Sequence, residues 1–271
     1  MAPRRRDHPR LAVAVARQWQ RVADAVDELP DEAFAAPSRL PGWTTADLVT
    51  HLTSSATAPL GGLAAASPAT VGPTAGRIAG RIAGRIAGPT AAEYLTGVPG
   101  VADQIADRAR RESAGLKPDA LRGRLRAEVD AVAGPLLAGP DLERVIAVRA
   151  HGMRLGDYLV TRAVEGVVHG LDLGVEPDRD ATAIVVRTLT ALLAERQPGH
   201  SVEVRVPPYS AVQAVAGPRH TRGTPPNTVE AEPVAFLEVA TGRMSWAAAV
   251  ATGRIRASGS RADLSEYLPL L

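Results

Sequence analysis

The sequence contains no cysteine, few aromatic residues and almost no lysine. Without cysteine the chain can form no disulfide, and it offers neither a thiol nucleophile nor a thiolate metal ligand. Aromatic residues make up only 3% of the 271 positions, so alanine, valine and leucine must build most of the core, which favours closely packed helices. Lys117 is the single lysine among 31 basic residues, a bias typical of GC-rich bacterial genomes such as those of actinobacteria.

Long hydrophobic runs and clustered charge are also missing. The apolar run nearest the N-terminus, Leu11 to Ala16, is too short for a signal peptide, and nothing reaches the length of a membrane span. The 31 basic and 29 acidic residues are spread along the chain, without a basic patch interleaved with aromatics. We therefore expect a cytoplasmic protein with no nucleic-acid partner and no membrane span.

The first two thirds of the chain carry apolar residues at helical spacing. Thr44, with Asp47 three residues later, is a typical N-cap signature and opens a helix that contains His51. Further helices are predicted over 10–29, 91–112, 119–138 and 154–173. Four or five long helices with short connections predict an up-and-down bundle over residues 1–175.

A low-complexity segment over residues 54–92 interrupts this pattern. Its motif Gly76-Arg-Ile-Ala79 repeats three times before Gly88 and could form a glycine packing face or a basic stripe on a helix. Each glycine costs a helix about 1 kcal/mol, which favours a tolerated insertion instead. We assign no site to it.

The pattern changes after the turn-rich stretch at residues 174–180. A helix is predicted over 181–196, strands over 202–206, 211–215, 228–231 and 254–258, and short helices over 233–240, 246–251 and 262–267. Strands followed by helices predict a small α+β domain over residues 180–271.

Glu165 and His169 are four residues apart on one predicted helix, so both side chains leave the same face. This spacing suits two ligands of one metal ion, and His51, on an apolar helix face, is the best third ligand. Each feature alone has an ordinary explanation, because a histidine on an apolar face is usually a hydrogen-bonded core residue. Together they predict a divalent metal site with positions left open for water or substrate.

Two other groups of polar residues each allow a functional and a structural interpretation. Asp172 could orient the His169 imidazole, although an ordinary residue at a helix end explains it as well. Arg219, His220 and Arg222 cluster beside glycine and proline; they are candidate catalytic residues that would anchor a carboxylate, or else they form a surface loop.

Several motifs resemble the mycothiol-dependent maleylpyruvate isomerase family, within the wider DinB-like metal-binding bundles, fused to a bacterial sterol-carrier-like domain. The motifs that carry the resemblance are Ser38-Arg-Leu-Pro-Gly-Trp-Thr44 with Asp47 and His51, Met153 to Glu165, Val168-His-Gly-Leu-Asp-Leu173, Ala216 to Asn227, Ala240 to Trp246, and Ala257 to Leu264. The resemblance implies a DinB-like four-helix bundle followed by a small sterol-carrier-like α+β domain. It also implies that His51, Glu165 and His169 are the metal ligands.

The function implied by the resemblance is thiol chemistry. The expected cofactors are a divalent metal, with zinc as the leading candidate, and mycothiol, a low-molecular-weight thiol. The expected reaction is isomerisation of a small electrophilic substrate or transfer of the sulfur to it. The alternative is a non-catalytic lipid- or sterol-carrier-like protein that binds an apolar ligand.

Overall fold

The computed structural model describes residues 8–57, 88–148, 151–217 and 227–271. They divide into two compact units, one ending at Ala181 and the other comprising Thr182–Leu271. The first unit is dominated by helices and the second contains a four-stranded sheet, which confirms the predicted fold class. The division falls within a helix, and the domain limits 1–175 and 180–271 stay a prediction.

The first unit is mainly helical and contains one β-hairpin. In chain order its elements are α1 (His8–Glu28), α2 (Thr45–Thr57), α3 (Ala91–Gly97), α4 (Ala102–Ser113), α5 (Pro118–Leu137), β1 (Val145–Val148), β2 (His151–Arg154) and α6 (Leu155–Asp172). Helices α1 and α2 both pack against α5 and α6, which gives the predicted four-helix arrangement, and α4 covers α2 from the side.

Close contact between α1 and α6 depends on two glycines of α6. A Cβ at Gly166 would lie 3.1 Å from both Gln18 and Trp19, and one at Gly170 would lie 3.1 Å from Gln18. Gln18 uses this proximity to donate a hydrogen bond to the Gly166 carbonyl (2.9 Å), and the Trp19 indole donates to the Arg162 carbonyl (3.1 Å). The opposite face of α6 is thereby directed toward α2.

The second unit begins within α7 (Arg179–Arg196) and is built on a mixed sheet. Its other elements are β3 (Val202–Val206), β4 (Ser210–Ala214), β5 (Thr228–Ala231), α8 (Pro233–Ala240), α9 (Trp246–Ala251) and β6 (Ile255–Ser258). The strand order is β4-β3-β5-β6; β3 pairs antiparallel with β4 and parallel with β5, and β5 pairs antiparallel with β6. Valines at alternate positions of β3 are fully buried, as strand periodicity predicts.

Three details differ from the sequence-based predictions. The helix predicted over 91–112 is broken by a 3₁₀ turn, Val98–Val101, because Pro99 has no amide hydrogen to donate. The β1–β2 hairpin was not predicted, and its four-residue strands are short for a periodicity signal. The predicted terminal helix is wrong, since only Ser265–Tyr267 form a 3₁₀ turn. The glycine-rich repeat lies outside the described residues.

No helix in the described part of the chain is both long and apolar enough to cross a membrane.

The predicted N-cap of α2 is present and reaches a second helix. The Thr44 amide donates to the Asp47 carboxylate (2.9 Å), and the Asp47 amide donates to the Thr44 hydroxyl (3.2 Å). The other oxygen of Asp47 accepts a hydrogen bond from the buried Ser113 hydroxyl of α4 (2.6 Å). Burial raises the pKa of Asp47, but the bonds from Ser113 and Thr44 outweigh it and leave this pKa below its ordinary value.

Replacing Asp47 with alanine should lower the free energy of unfolding by about 1–2 kcal/mol, because the cap is lost and Ser113 loses its partner. Urea denaturation at pH 7 measures the change. Glu93→Ala is the matched control, since Glu93 forms the same type of capping box with Thr90 at an exposed helix start. Glu93→Ala should lower the free energy of unfolding by less than Asp47→Ala does. Equal decreases would show that the hydrogen bond between Asp47 of α2 and Ser113 of α4 adds no stability.

The stabilisation by the Asp47 charge should depend on pH. Because the folded state lowers this pKa, the stabilisation is complete well above the ordinary value of 3.8 and is lost as pH falls through the folded value. The difference in unfolding free energy between the wild type and Asp47→Asn should therefore shrink from pH 7 to pH 3. A difference that is constant over this range would contradict the assignment.

Candidate metal centre

The structure brings the three predicted ligands together on two facing helices. His51 lies on α2, and Glu165 and His169 lie one turn apart on α6. The His51 Nε2 atom is 3.1 Å from Glu165 Oε2, and His169 Nε2 is 3.5 Å from the same oxygen. One ligand atom from each of the three residues lies within 4.8 Å of the others.

These distances suit a small divalent ion. A tetrahedral zinc ion with bonds of about 2.0–2.1 Å holds its ligand atoms roughly 3.3 Å apart. Two imidazole nitrogens and one carboxylate oxygen are a ligand set that zinc accepts in catalytic sites. The three side chains are 13–14% exposed, so the cluster is mostly shielded but remains accessible from one side. The residues present could therefore hold a metal ion.

Arg162 compensates the buried charge of Glu165. Its guanidinium is 3.8 Å from Glu165 Oε1, the oxygen turned away from the histidines, and donates to the Ser55 carbonyl (2.9 Å). Burial raises the pKa of Glu165, but the hydrogen bond with His51 and the charge of Arg162 outweigh it and hold this pKa well below its ordinary value. Glu165 is thus ionised, with one oxygen near Arg162 and the other near the two histidines.

Asp172 orients the second histidine. Its carboxylate is completely buried and lies 2.9 Å from His169 Nδ1, so His169 presents Nε2 to Glu165 and His51. Burial lowers the pKa of His169 and the neighbouring His51 lowers it further, while Asp172 raises it; the pKa remains below its ordinary value. A neutral imidazole held by a carboxylate is a common arrangement for metal-binding histidines.

A cavity of about 350 Å³ opens beside the cluster, within the first unit. His51 and Glu165 line one side, together with Arg162 and the Tyr158 ring on which the guanidinium stacks at 4.7 Å. The rest of the lining is mixed: it contains the apolar residues Val98, Ile105, Ala109, Ala147 and Val148 and the polar residues Ser54, Ser55, Tyr94, Arg108 and Glu112. The cluster therefore faces a space large enough for small ligands.

Arg162, Ser55 and the other residues that line the cavity were not predicted from the sequence. Arg162 stands three residues before Glu165, a spacing that places both on one helix face and was the available signal. Arg219, His220 and Arg222 lie outside the described residues, so their assignment as catalytic residues stays a prediction.

Comparisons with known proteins agree with the resemblance seen in the sequence. Residues 15–174 match the family model of the mycothiol maleylpyruvate isomerase N-terminal domain, and residues 178–270 match that of the bacterial SCP ortholog. No curated protein matches the chain.

Two solved structures share the fold over most of their length. A crystal structure of the mycothiol-dependent maleylpyruvate isomerase has 18% sequence identity and a TM-score of 0.58, covering 93% of this chain and 92% of that one. A histidine-to-alanine mutant of the mycothiol-dependent maleylpyruvate isomerase has 16% identity, with the same TM-score and coverage. At such identities the likeness extends to the fold alone.

Replacing Asp172 with asparagine should weaken metal binding about tenfold or more, because the charge that polarises the His169 imidazole is removed. Competition with a fluorescent zinc chelator measures this affinity. Asp178→Asn is the matched control: Asp178 is a buried aspartate that accepts hydrogen bonds from the amides of Asp180 and Ala181 and is not a member of the His51, Glu165 and His169 cluster. Unchanged zinc affinity in Asp172→Asn would refute an orienting role for Asp172.

Proposed function

Because the chain belongs to the mycothiol maleylpyruvate isomerase N-terminal domain family, we propose that it is a metal- and mycothiol-dependent enzyme that acts on a small electrophilic substrate. The observation that carries the proposal is the convergence of His51, Glu165 and His169 beside a pocket. These residues are the proposed ligands of a divalent ion, with zinc as the leading candidate.

The protein's own residues prepare this site. Arg162 and the two histidines keep Glu165 ionised, and Asp172 directs His169 Nε2 toward the other ligands. Three protein ligands leave positions open for an exogenous group. A divalent ion held there would supply the acidity that deprotonates a coordinating thiol.

The nucleophilic sulfur must come from outside the chain, which has no cysteine. Mycothiol is the thiol that the family membership suggests, and the pocket provides space next to the proposed ligands. Addition of sulfur to an activated double bond, rotation and departure of the thiol give isomerisation; retention of the sulfur gives S-transfer. Both outcomes need the same site.

The test is to measure bound metal and thiol together. Purified protein should hold about one zinc or similar ion per chain, His169→Ala should lose it, and mycothiol should raise the melting temperature only of metal-loaded protein. His200→Ala, which replaces an exposed histidine of the second unit, is the control and should retain the metal. Wild-type protein that cannot be loaded with any divalent ion would overturn the proposal.

A second candidate function rests on the match of residues 178–270 to the bacterial SCP ortholog. In that case the chain carries an apolar ligand, and binding of a fluorescent fatty acid to the full chain should be unaffected by chelators and by His169→Ala. The enzyme hypothesis instead requires that both treatments abolish the mycothiol-dependent thermal shift.

A further inference from the structure

Ser55 lies one turn after His51 on α2 and directs its hydroxyl toward the ligand cluster. Its Oγ atom is 3.5 Å from His51 Nε2, the same atom that lies 3.1 Å from Glu165 Oε2. Ser55 is 8% exposed and lines the cavity beside the cluster. The Ser55 hydroxyl is therefore a buried polar group at the border between the proposed ligands and the space from which an exogenous group would enter.

Neighbouring hydroxyls of α2 are directed elsewhere. The Thr53 hydroxyl donates to the Val49 carbonyl (2.9 Å), which is a usual way for a helix to satisfy a threonine. The Ser54 hydroxyl donates to Glu112 of α4 (3.4 Å). Of these three consecutive hydroxyls, that of Ser55 is the one that faces the proposed ligands.

The contact between Ser55 and His51 is long for a hydrogen bond, and a metal ion would remove it. An imidazole nitrogen that coordinates a metal carries no hydrogen and uses its lone pair for the ion, so it can neither donate nor accept. The hydroxyl would then lose His51 Nε2 as a partner, and a buried hydroxyl without a partner is costly. An anionic group beside the metal offers a better acceptor, because hydrogen bonds to charged groups are roughly twice as strong as neutral ones.

The backbone of Ser55 is fixed independently of its hydroxyl. The Ser55 carbonyl accepts a hydrogen bond from Arg162 (2.9 Å), whose guanidinium is 3.8 Å from Glu165 Oε1. Replacing Ser55 with alanine removes only the hydroxyl and leaves this carbonyl in place. The contribution of the hydroxyl can therefore be measured without removing the bond that ties Arg162 to α2.

From this arrangement, and resting on the proposed function, we propose that Ser55 is a binding residue for the exogenous ligand. Its hydroxyl donates a hydrogen bond to the anionic group, the thiolate in the case of mycothiol, that enters beside His51, Glu165 and His169. A thiolate accepts such a bond more strongly than a neutral thiol does, so the hydroxyl favours the deprotonated sulfur. Ser55 thus acts in the same direction as the metal ion that the cluster is proposed to hold.

Cobalt(II) is a suitable probe metal, because it occupies zinc-type sites and its visible absorption reports a coordinated sulfur. Full-length protein loaded with cobalt is titrated with mycothiol at constant pH, and the absorption gives the dissociation constant of the thiol. In Ser55→Ala this constant should rise about tenfold, as expected for the loss of one hydrogen bond to a charged group. The affinity for cobalt, measured by competition with a chelator, should stay the same.

Thr53→Ala is the matched control, because it removes a hydroxyl from the same helix whose hydrogen bond stays within that helix, outside the cavity lining. It should change neither constant. Unchanged mycothiol affinity in Ser55→Ala would refute the proposed hydrogen bond. A parallel loss of cobalt affinity in Ser55→Ala would refute it as well, since the hydroxyl would then serve the metal or His51 rather than the exogenous ligand.

Azide separates this proposal from the proposed function, because it is an anion that coordinates cobalt and accepts hydrogen bonds but is not a thiol. If mycothiol does not bind the cobalt-loaded wild type, the thiol-dependent function fails and the azide titration still decides the role of Ser55. Weaker azide binding in Ser55→Ala than in the wild type would support that role, and equal binding would overturn it. Wild-type protein that takes up no divalent ion would overturn both proposals.

Discussion

The buried carboxylate of Glu165 is the constraint on which the first unit depends. A carboxylate in the middle of a helical bundle is tolerated only when partners replace the water that it loses, and removing such a partner costs several kcal/mol. His51 from α2 supplies one partner, and Arg162 and His169 from α6 supply the others. The bond from Arg162 to the Ser55 carbonyl ties the same group back to α2, so the charge and the distance between the two helices are fixed together.

The face of α6 that packs against α1 explains how these two helices can approach so closely. Gly166 and Gly170 remove the side chains that would separate α6 from α1, and Gln18 and Trp19 fill the space and bond to the α6 backbone. Gln18 also accepts a hydrogen bond from the Asp178 amide (2.7 Å), which fixes the segment that follows α6. Because small residues lie on one face of α6 and the proposed ligands lie on the other, α6 is a rigid support for the candidate site.

Much of this arrangement was predictable from the sequence because it depends on local spacing. The four-residue interval between Glu165 and His169 fixes their common face, and the Thr44–Asp47 cap fixes where α2 begins and hence which way His51 points. The compensation by Arg162 depends on a carbonyl more than a hundred positions away, and periodicity contains no information about such contacts. A single residue, Pro99, likewise interrupts the helix predicted over 91–112, and the spacing of apolar residues alone does not indicate this interruption.

The proposed metal ligands and the apolar residues that line the cavity lie on different elements. The ligands belong to α2 and α6, whose packing is fixed by buried charge, whereas these apolar residues belong to α4, the preceding turn and the short strand β1 at the border of the pocket. The contacts that hold His51, Glu165 and His169 together are therefore separate from those that shape the apolar lining, so the lining can vary within a family while the cluster is kept.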